Sequence, residues 1–310
     1  LPVSAVQGLG TGDLLDRVVA RLPEDDAAAE DDDVVRLALI GRPNVGKSSL
    51  VNRILGDERV IVSPTAGTTR DAIDLPFELD GRRLVLIDTA GLRRQAKVAD
   101  SLEYYTALRS RRAAERADVA LVVCDATEGV TAQDLRIAEL AMQSGCATAL
   151  VLNKWDLTGD GDVDVDLDFE RARVNQKLRL RPRVLTASAK TGRHVRRLLV
   201  EALALADRAR GRIPTPQLNR FLSEIQEIRQ PPARQNHRLK LLYMAQTGER
   251  PPRFSIQVNA RKRVTRDYAY FIENRLRERY RMEGIPLVID FVERRQRRSE
   301  RGRLGARHAA

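Results

Sequence analysis

The sequence predicts an α/β domain built on a mostly parallel sheet, followed by a small α+β domain. Three observations indicate this: apolar runs alternate with helical periodicity from Val34 to residue 205, a glycine-rich motif follows the first run, and the pattern changes after Arg212. Strands that alternate with helices are joined by crossovers, which favour parallel pairing. The 310 residues are enough for two hydrophobic cores.

The predicted strands of the first domain are apolar runs at residues 34–40, 84–87, 119–124, 147–152 and 184–186. Apolar residues three and four apart predict helices at 102–117, 135–142 and 195–205. Asp80-Gly81 after residues 73–79 is a tight-hairpin signal, so we expect one antiparallel edge strand. Thr131 and Asp134 predict a capping box that opens a helix.

The second predicted domain begins where Pro214 and Pro216 are expected to break the chain. A short helical stretch, apolar runs at 239–244 and 254–258, a long helical pattern at 267–280 and a last strand at 287–292 follow. This order of elements predicts the α+β class.

Composition excludes several classes of protein. No run approaches the roughly 20 apolar residues of a membrane-spanning helix, and the charged N-terminal stretch has no apolar core resembling a signal peptide. The two cysteines lie in apolar stretches and the three histidines are scattered, which disfavours a disulfide framework or a zinc site. We expect a soluble cytoplasmic protein, monomeric and without stable membrane association.

Residues 41–48 match the phosphate-binding motif G-x-x-x-x-G-K-[ST], after a strand and at a helix start, which predicts a P-loop NTPase. In such a loop backbone N–H groups surround the β-phosphate, Lys47 places its charge at the β/γ oxygens as a catalytic residue, and the Ser48 hydroxyl binds Mg²⁺. The predicted contacts are Gly41, Arg42, Pro43, Asn44, Val45, Gly46, Lys47, Ser48 and Ser49.

A second motif, Asp88-Thr89-Ala90-Gly91, ends the strand after the hairpin. Asp88 is predicted to reach Mg²⁺ through water, and the N–H of Gly91 to face the γ-phosphate as a catalytic group. Thr89, Ala90 and Leu92 are the other predicted nucleotide contacts here.

The base is predicted from Asn153-Lys154-Trp155-Asp156, which ends a later strand. A carboxylate at Asp156 pairs with the two donors on the guanine edge, whereas adenine presents an acceptor at N1. GTP and GDP are therefore expected rather than ATP. Ser188-Ala189-Lys190 is predicted to supply a backbone N–H to the guanine carbonyl, and Trp155 to be a packing residue.

Together the four motifs resemble the translation-factor-like GTPases, which have a Ras-like G domain. Gly41 to Ser48 with Ala66-Gly67-Thr68-Thr69-Arg70-Asp71 resembles the Era, MnmE and Der branch. The runs Pro251-Pro252-Arg253-Phe254, Val258-Asn259 and 270–277 resemble the KH-like domain of the Der (EngA) family. The start of the chain resembles the end of a preceding G domain, so we expect a chain truncated before residue 1.

This resemblance predicts the domain organisation. Residues 1–23 are expected to be a remnant of the preceding G domain, 24–33 an acidic linker, 34–211 the G domain, 212–292 the KH-like domain and 293–310 a basic disordered tail. The resemblance also implies GTP hydrolysis in assembly of the large (50S) ribosomal subunit.

The resemblance further implies how hydrolysis is catalysed. Leu92 stands where Ras-like proteins have a water-positioning Gln, and an apolar side chain can neither orient nor deprotonate water. The implied substitute is K⁺ held by Asn44, Ser63, Thr65 and Thr68, with Thr69 completing the Mg²⁺ shell as a catalytic residue. Asn44 is alternatively a turn former beside Pro43. Arg93 and Arg94 are expected to contact a neighbouring domain or solvent rather than act as an arginine finger.

Charge predicts a phosphate-rich partner. Residues 212–310 hold 23 Lys and Arg against 10 Asp and Glu, a net of +13, so the rest of the chain carries −2. The tail from Arg294 is expected to seek polyanions, or alternatively to be a solubility device. No Gly-x-x-Gly clamp lies between 239 and 292, so we expect ribosomal RNA to be recognised by charge and shape. The predicted basic surface consists of Arg261, Lys262, Arg263, Arg266 and the terminal arginines.

Two alternatives remain open. One is a tRNA-modification or membrane-linked GTPase, and the other is an RNA-binding module whose G domain barely hydrolyses nucleotide.

The aspartates from Asp160 to Asp168 alternate like metal ligands. An EF-hand loop would need Gly and Glu where Val165 and Arg171 stand, so an acidic surface loop is predicted instead.

Overall fold

The computed structural model describes residues 33–58, 60–62, 74–88, 110–159, 165–234 and 237–293. From Val35 onward they belong to one compact unit. The predicted preceding-domain remnant, nearly all of the acidic linker and the basic tail after Glu293 lie outside the described residues.

A seven-stranded sheet forms the first domain. Its strands are β1 (Val35–Ile40), β2 (Val60–Val62), β3 (Leu75–Leu79), β4 (Arg82–Ile87), β5 (Val119–Asp125), β6 (Ala147–Asn153) and β7 (Val184–Thr186). Their order is β2-β3-β4-β1-β5-β6-β7. β1 pairs in parallel with β4 and β5, and β5, β6 and β7 continue the parallel part. The predicted mostly parallel sheet is confirmed.

The predicted hairpin joins β3 to β4, which pair antiparallel. Asp80 and Gly81 have φ of 49° and 77°, as a tight two-residue turn requires. However, β3 is not the edge strand, because β2 pairs antiparallel with its other side. The prediction missed β2 because only three residues form it.

In the described part of the chain, the sheet is covered by the helices α1 (Lys47–Leu55), α2 (Ala132–Gln143), α3 (Leu167–Lys177) and α4 (Val195–Arg210). Residues 110–116 are also helical. The predicted capping box of α2 is confirmed, with Thr131 and Asp134 exchanging hydrogen bonds. α3 was not predicted. Asp166, in the expected acidic loop, caps it by accepting from the backbone N–H groups of Asp168 and Phe169.

Two hydrophobic layers lie on opposite faces of the sheet. Along β1, Leu37 and Leu39 belong to one layer and Ala38 and Ile40 to the other, as the two-residue period of a strand requires. The first layer includes α1 and α4, and the second includes α2 and α3. Every residue of β5 and β6 is buried, which is typical of strands covered on both faces.

The second domain contains α5 (Thr215–Ile228), β8 (Ala233–Arg234), β9 (His237–Arg238), β10 (Leu241–Glu249), β11 (Pro252–Val258), α6 (Arg266–Tyr280) and β12 (Val288–Glu293). β11 pairs antiparallel with β10 and parallel with β12. The α+β prediction is therefore confirmed. Pro216 does not break the chain as expected, because it lies in the first turn of α5, where its missing N–H has no helical partner to lose.

The two domains are joined at the amino ends of β6 and β7. The backbone N–H of Thr148, in β6, donates to the carbonyl of Gly284 at 2.8 Å, and the N–H of Gly284 donates to Leu180 at 2.7 Å. A Cβ at Gly284 would lie 2.1 Å from the Thr148 oxygen, so this close approach requires glycine. The buried Gln246 adds a contact, because its Nε2 donates to the carbonyl of Gly211, which follows α4, at 3.2 Å.

Candidate nucleotide-binding site

The predicted site residues within the described parts of the chain follow β1, β4, β6 and β7. These strands run parallel in one sheet, so the segments after them meet at its carboxyl edge, where open α/β sheets bind ligands.

Two glycines shape the phosphate-binding loop between β1 and α1. Gly41 has φ of 144°, and a Cβ there would lie 2.3 Å from the carbonyl oxygen of Val123. Gly46 has φ of 92°, and a Cβ there would lie 2.3 Å from Nδ2 of Asn153. The first turn of α1 contains no acidic residue and has no side-chain cap, so its N–H groups and partial positive charge are suited to a phosphate.

Lys47 is buried at the start of α1. Its Nζ donates to the carbonyl of Gly41 at 2.9 Å and also to that of Arg42. Burial lowers the pKa of Lys47 to about 8, an effect that Asp134 opposes and Arg42 reinforces. A phosphate oxygen in the loop would favour the charged ammonium again.

Arg42 has a role that the sequence did not reveal. Its Nε donates to Oδ1 of the fully buried Asp134 at 2.9 Å, and its terminal nitrogen donates to Glu128 at 2.7 Å. The same carboxylate of Asp134 accepts from the N–H and hydroxyl of Thr131. Arg42 thus ties the phosphate-binding loop to the start of α2. The capping box pointed to Asp134, but no sequence signal linked it to Arg42.

Asn153 connects the phosphate-binding loop to the guanine-binding segments. Its Nδ2 donates to the carbonyl of Val45 at 2.9 Å, and its Oδ1 accepts from the N–H of Ala189 at 3.0 Å. The side chain is almost completely buried, so both bonds are shielded from water. Asn153 therefore holds three predicted segments together.

The Asp156 carboxylate lies beside the last predicted segment. Its Oδ1 accepts from the hydroxyl of Ser188 at 2.5 Å. The guanidinium of Arg53, in α1, donates to the carbonyl of Ala189 at 2.9 Å and to the carbonyl of Lys190. Sequence reasoning missed Arg53, which fixes the backbone predicted to meet the guanine carbonyl.

Lys154 and Trp155 support the same edge. Lys154 has φ of 62° and pairs with Asp125 at the end of β5. Although burial opposes it, hydrogen bonds from Lys154 and Thr127 lower the pKa of Asp125. Trp155 packs against the second hydrophobic layer, in agreement with its predicted packing role.

The predicted Mg²⁺ ligands are described only in part. Ser48 and Ser49 are exposed in the first turn of α1. Asp88 follows β4, and its backbone N–H donates to Asp74 at 3.2 Å. A hydroxyl and a carboxylate are oxygen donors of the kind that Mg²⁺ prefers. No cluster of three or more His, Cys, Asp or Glu among the described residues could hold a metal by itself.

Several predicted residues lie outside the described parts of the chain. They are Ser63, Thr65, Thr68, Thr69, Thr89, Ala90, Gly91, Leu92, Arg93 and Arg94. Pro43 and Asn44 are described, and Asn44 is exposed with φ of 63°. Within the described ranges, no helix is long and apolar enough to cross a membrane.

Comparison with known families matches both domains. A family described as "50S ribosome-binding GTPase" matches residues 36–154, and one described as "KH-domain-like of EngA bacterial GTPase enzymes, C-terminal" matches residues 212–291. The first match covers the phosphate-binding loop and Asn153, and the second covers the α+β domain.

Curated relatives extend this similarity along nearly the whole chain. GTPase Der of Caldanaerobacter subterraneus subsp. tengcongensis is 44% identical over 294 residues, which are 95% of this chain and 67% of that protein. GTPase Der of Desulforudis audaxviator is 47% identical over 95% of this chain and 67% of that protein. GTPase Der of Heliobacterium modesticaldum is 44% identical over 300 residues, which are 97% of this chain and 68% of that protein. The chain thus spans about two thirds of the length of these relatives.

Family models match both domains, and curated GTPase Der sequences are 44–47% identical to this chain over at least 95% of its length. The chain belongs to the Der family of GTPases, with a P-loop G domain followed by a KH-like domain.

Proposed function

We propose that the protein is a GTP-driven switch that acts in assembly of the large (50S) ribosomal subunit. The observation that carries this proposal is the direct attachment of a basic KH-like domain to a G domain through the Gly284 contact. A nucleotide-binding domain joined in this way to a candidate RNA-binding domain can couple the two ligands. The description of the G-domain family as ribosome-binding supports the same partner.

The described side chains support binding of GTP and GDP. Lys47 supplies charge to the β- and γ-phosphates, and the Asp156 carboxylate receives the two guanine donors. Asn153 and Arg53 hold the surrounding backbone in place. We propose Ser48, Thr69 and, through water, Asp88 as the Mg²⁺ ligands, with Gly91 facing the γ-phosphate. Mg²⁺ would neutralise charge on the β- and γ-phosphates.

We also propose K⁺ as the second cation, held by Asn44, Ser63, Thr65 and Thr68. The exposed Asn44 on the rim of the phosphate-binding loop supports this role. K⁺ would supply positive charge between the β- and γ-phosphates. GTP hydrolysis compared in KCl and NaCl at equal ionic strength tests the proposal, and equal rates would contradict it.

The proposed RNA surface begins at Arg261, Lys262 and Arg266, which are exposed, and includes the half-buried Arg263. It lies at the start of α6, and we propose that the basic residues after Glu293 extend it. Guanidinium and ammonium groups bind RNA phosphates without reading sequence. We propose that the protein is monomeric and acts in the cytoplasm, where bacterial ribosomal subunits are assembled.

The switch depends on how γ-phosphate changes the segments around Thr69 and Gly91. We propose that their state alters how the G domain and the KH-like domain engage the subunit. Lys47→Ala should remove the nucleotide dependence of subunit binding. Equal nucleotide sensitivity in this variant would contradict the switch.

Cosedimentation with purified 50S subunits tests the function as a whole. The chain is compared with a non-hydrolysable GTP analogue, with GDP and without nucleotide, at one salt concentration. We expect binding to be strongest with the analogue. Absence of binding in all three states would reject the 50S subunit as the partner of this chain.

A further inference from the structure

A cleft of about 460 Å³ lies beside the contact between the two domains. Arg181 and Arg183 line it just before β7, and Arg171 of α3 and Arg197 of α4 line its walls. Arg277 of α6 contributes from the KH-like domain. The cleft is separate from the phosphate-binding loop, which lies at the opposite, carboxyl edge of the sheet.

Arginines dominate the lining of the cleft. Five arginines line it against three glutamates, Glu201, Glu278 and Glu283. Two of the arginines are held by carboxylates outside the lining, Arg277 by Glu273 and Arg171 by Asp168. The guanidinium groups of Arg181, Arg183 and Arg197 are therefore the ones that can hold a phosphate group.

The arginines at the mouth of the cleft are available to a ligand. Arg181 pairs with Glu278 at 3.3 Å and Arg183 pairs with Glu201 at 3.0 Å, in both cases through partly exposed side chains. Exposed pairs of this kind are weak, so either guanidinium can turn toward a phosphate. Arg197 is exposed and has no ion pair among the described residues.

One feature of the cleft favours a ligand that carries a hydroxyl donor besides its phosphate. Oε2 of Glu283 is buried and has no hydrogen-bond donor in the described structure, and Nε of Arg277 has no acceptor. A simple anion would leave the Glu283 carboxylate unsatisfied and would be repelled by it. A ligand that places a hydroxyl donor next to its phosphate satisfies this carboxylate, as the 2′-hydroxyl of ribose can.

An apolar cavity of about 240 Å³ adjoins the cleft. It shares Arg171 and Arg197 with the cleft and adds Trp155, Leu167 and Leu198. Planar bases pack well against aromatic and aliphatic side chains. The combined space therefore has a basic part, a hydroxyl acceptor and an apolar part.

We propose that this cleft binds a ribonucleotide unit of an RNA strand, with its phosphate held by Arg181, Arg183 and Arg197 and its 2′-hydroxyl donating to Glu283. The proposal rests on the proposed function in that RNA is the partner. The proposal adds a site at which residues of both domains contact the same RNA strand. A free ribonucleotide has the same chemistry, so the experiment must separate the two sources.

The test uses the full chain saturated with Mg²⁺ and GDP, so that the phosphate-binding loop is filled. Binding of a fluorescent single-stranded RNA, and of DNA with the corresponding sequence, is measured by anisotropy over a range of KCl concentrations. We expect Arg197→Ala to weaken RNA binding several-fold and to reduce the slope of log K against log salt by about 0.7. Arg136→Ala, which removes an exposed arginine of α2 outside the cleft, is the matched control and should change neither quantity.

The hydroxyl contact is tested with Glu283→Leu, which removes the acceptor and retains bulk. We expect the preference for RNA over DNA to fall roughly tenfold, because a hydrogen bond to a charged group is lost. The fluorescence of Trp155, the single tryptophan of the chain, should respond to RNA at saturating GDP in the wild type but less in Arg197→Ala. Unchanged melting temperatures confirm that both variants are folded.

The outcomes distinguish the two proposals. Equal RNA affinity and salt slope in Arg197→Ala and Arg136→Ala would overturn the cleft while leaving RNA as the partner. No RNA binding by the wild type would overturn both the cleft and the RNA partner. Arg197-dependent displacement of RNA by millimolar AMP would support the ribonucleotide site and assign it to free nucleotide as well.

Discussion

Asn153 shows how much one buried side chain can organise. It bridges Val45 and Ala189 and occupies the space beside Gly46. Asn153→Ala leaves a buried carbonyl and a buried N–H without partners. We expect a loss of about 2 kcal/mol in the free energy of unfolding and at least tenfold weaker GDP binding. Chemical denaturation and calorimetric titration measure the two effects.

The control for Asn153 is Asn52→Ala on the exposed side of α1. It removes the same amide from a position in contact with solvent. We expect GDP affinity to stay within about twofold of the wild type and stability to change little. Equal losses in both variants would show that the buried bridge is not what holds the site.

Lys47 predicts a pH dependence of nucleotide binding. Its pKa of about 8 means that the free protein loses this charge above pH 8, whereas phosphate favours the charged form. Binding at pH 9 should therefore take up a proton, and binding at pH 7 should take up almost none through this group. GDP affinity should fall above pH 8, by at most about tenfold per pH unit. Calorimetry in buffers of different ionisation enthalpy counts the protons.

Burial of Lys47 also affects stability. Its pKa is lower in the folded state than in the unfolded chain, so unfolding takes up a proton between about pH 8 and 10.5. This group therefore destabilises the fold below pH 8, and the destabilisation is relieved as pH rises through that window. The destabilisation at pH 7 is of the order of 3 kcal/mol. Lys47→Met should raise the unfolding free energy at pH 7 and lose that advantage near pH 10.5.

At the scale of elements, α2 is fixed to the phosphate-binding loop through Asp134. Asp134→Ala leaves the capping box without its acceptor and removes the buried partner of Arg42. We expect a loss of about 3 kcal/mol of stability and weaker GDP binding, because breaking a buried ion pair strands the remaining charge. Thermal unfolding and GDP titration measure this.

Glu128→Ala provides the comparison for Asp134. This substitution removes the other carboxylate partner of Arg42. The side chain of Glu128 is half exposed. Exposed pairs contribute about 1 kcal/mol or less, so the effect should be small. If the two variants proved equally destabilised, the burial of Asp134 would not explain its role.

Sequence patterns predicted the elements that have strong periodicity and missed those that do not. The fully buried β5 and β6 and the capped α2 were predicted. In α3, by contrast, only Glu170 and Val174 are buried, too few for an apolar stripe. The phosphate and guanine motifs are local, so their residues could be predicted from the sequence. The contact of Arg42 with Asp134 joins residues 92 apart, and nothing in a single sequence specifies such a pair.

At the scale of the whole molecule, the contact through Gly284 is open to a direct test. Gly284→Ala places a methyl group 2.1 Å from the Thr148 oxygen in a backbone with φ of 75°. We expect a loss of about 3 kcal/mol or more in unfolding free energy, combining backbone strain with the clash. Limited proteolysis between the domains should also become faster.

Gly81→Ala separates strain from clash. Gly81 has nearly the same φ, 77°, but nothing lies within 4 Å of the added Cβ. Only the conformational penalty of about 1 kcal/mol should remain. If Gly284→Ala lowered the free energy of unfolding no more than Gly81→Ala does, the domain contact would be able to accommodate the added methyl group.

The hydrogen bond from Thr148 to Gly284 also makes one amide proton a gauge of domain separation. This N–H belongs to β6 but its acceptor belongs to the other domain, so its deuterium exchange requires the domains to part or the chain to unfold. If its exchange is faster than that of the β6 amides bonded within the sheet, the difference gives the free energy of parting. Measured with GDP and with a GTP analogue, this exchange rate would show how much each nucleotide changes the free energy of domain separation.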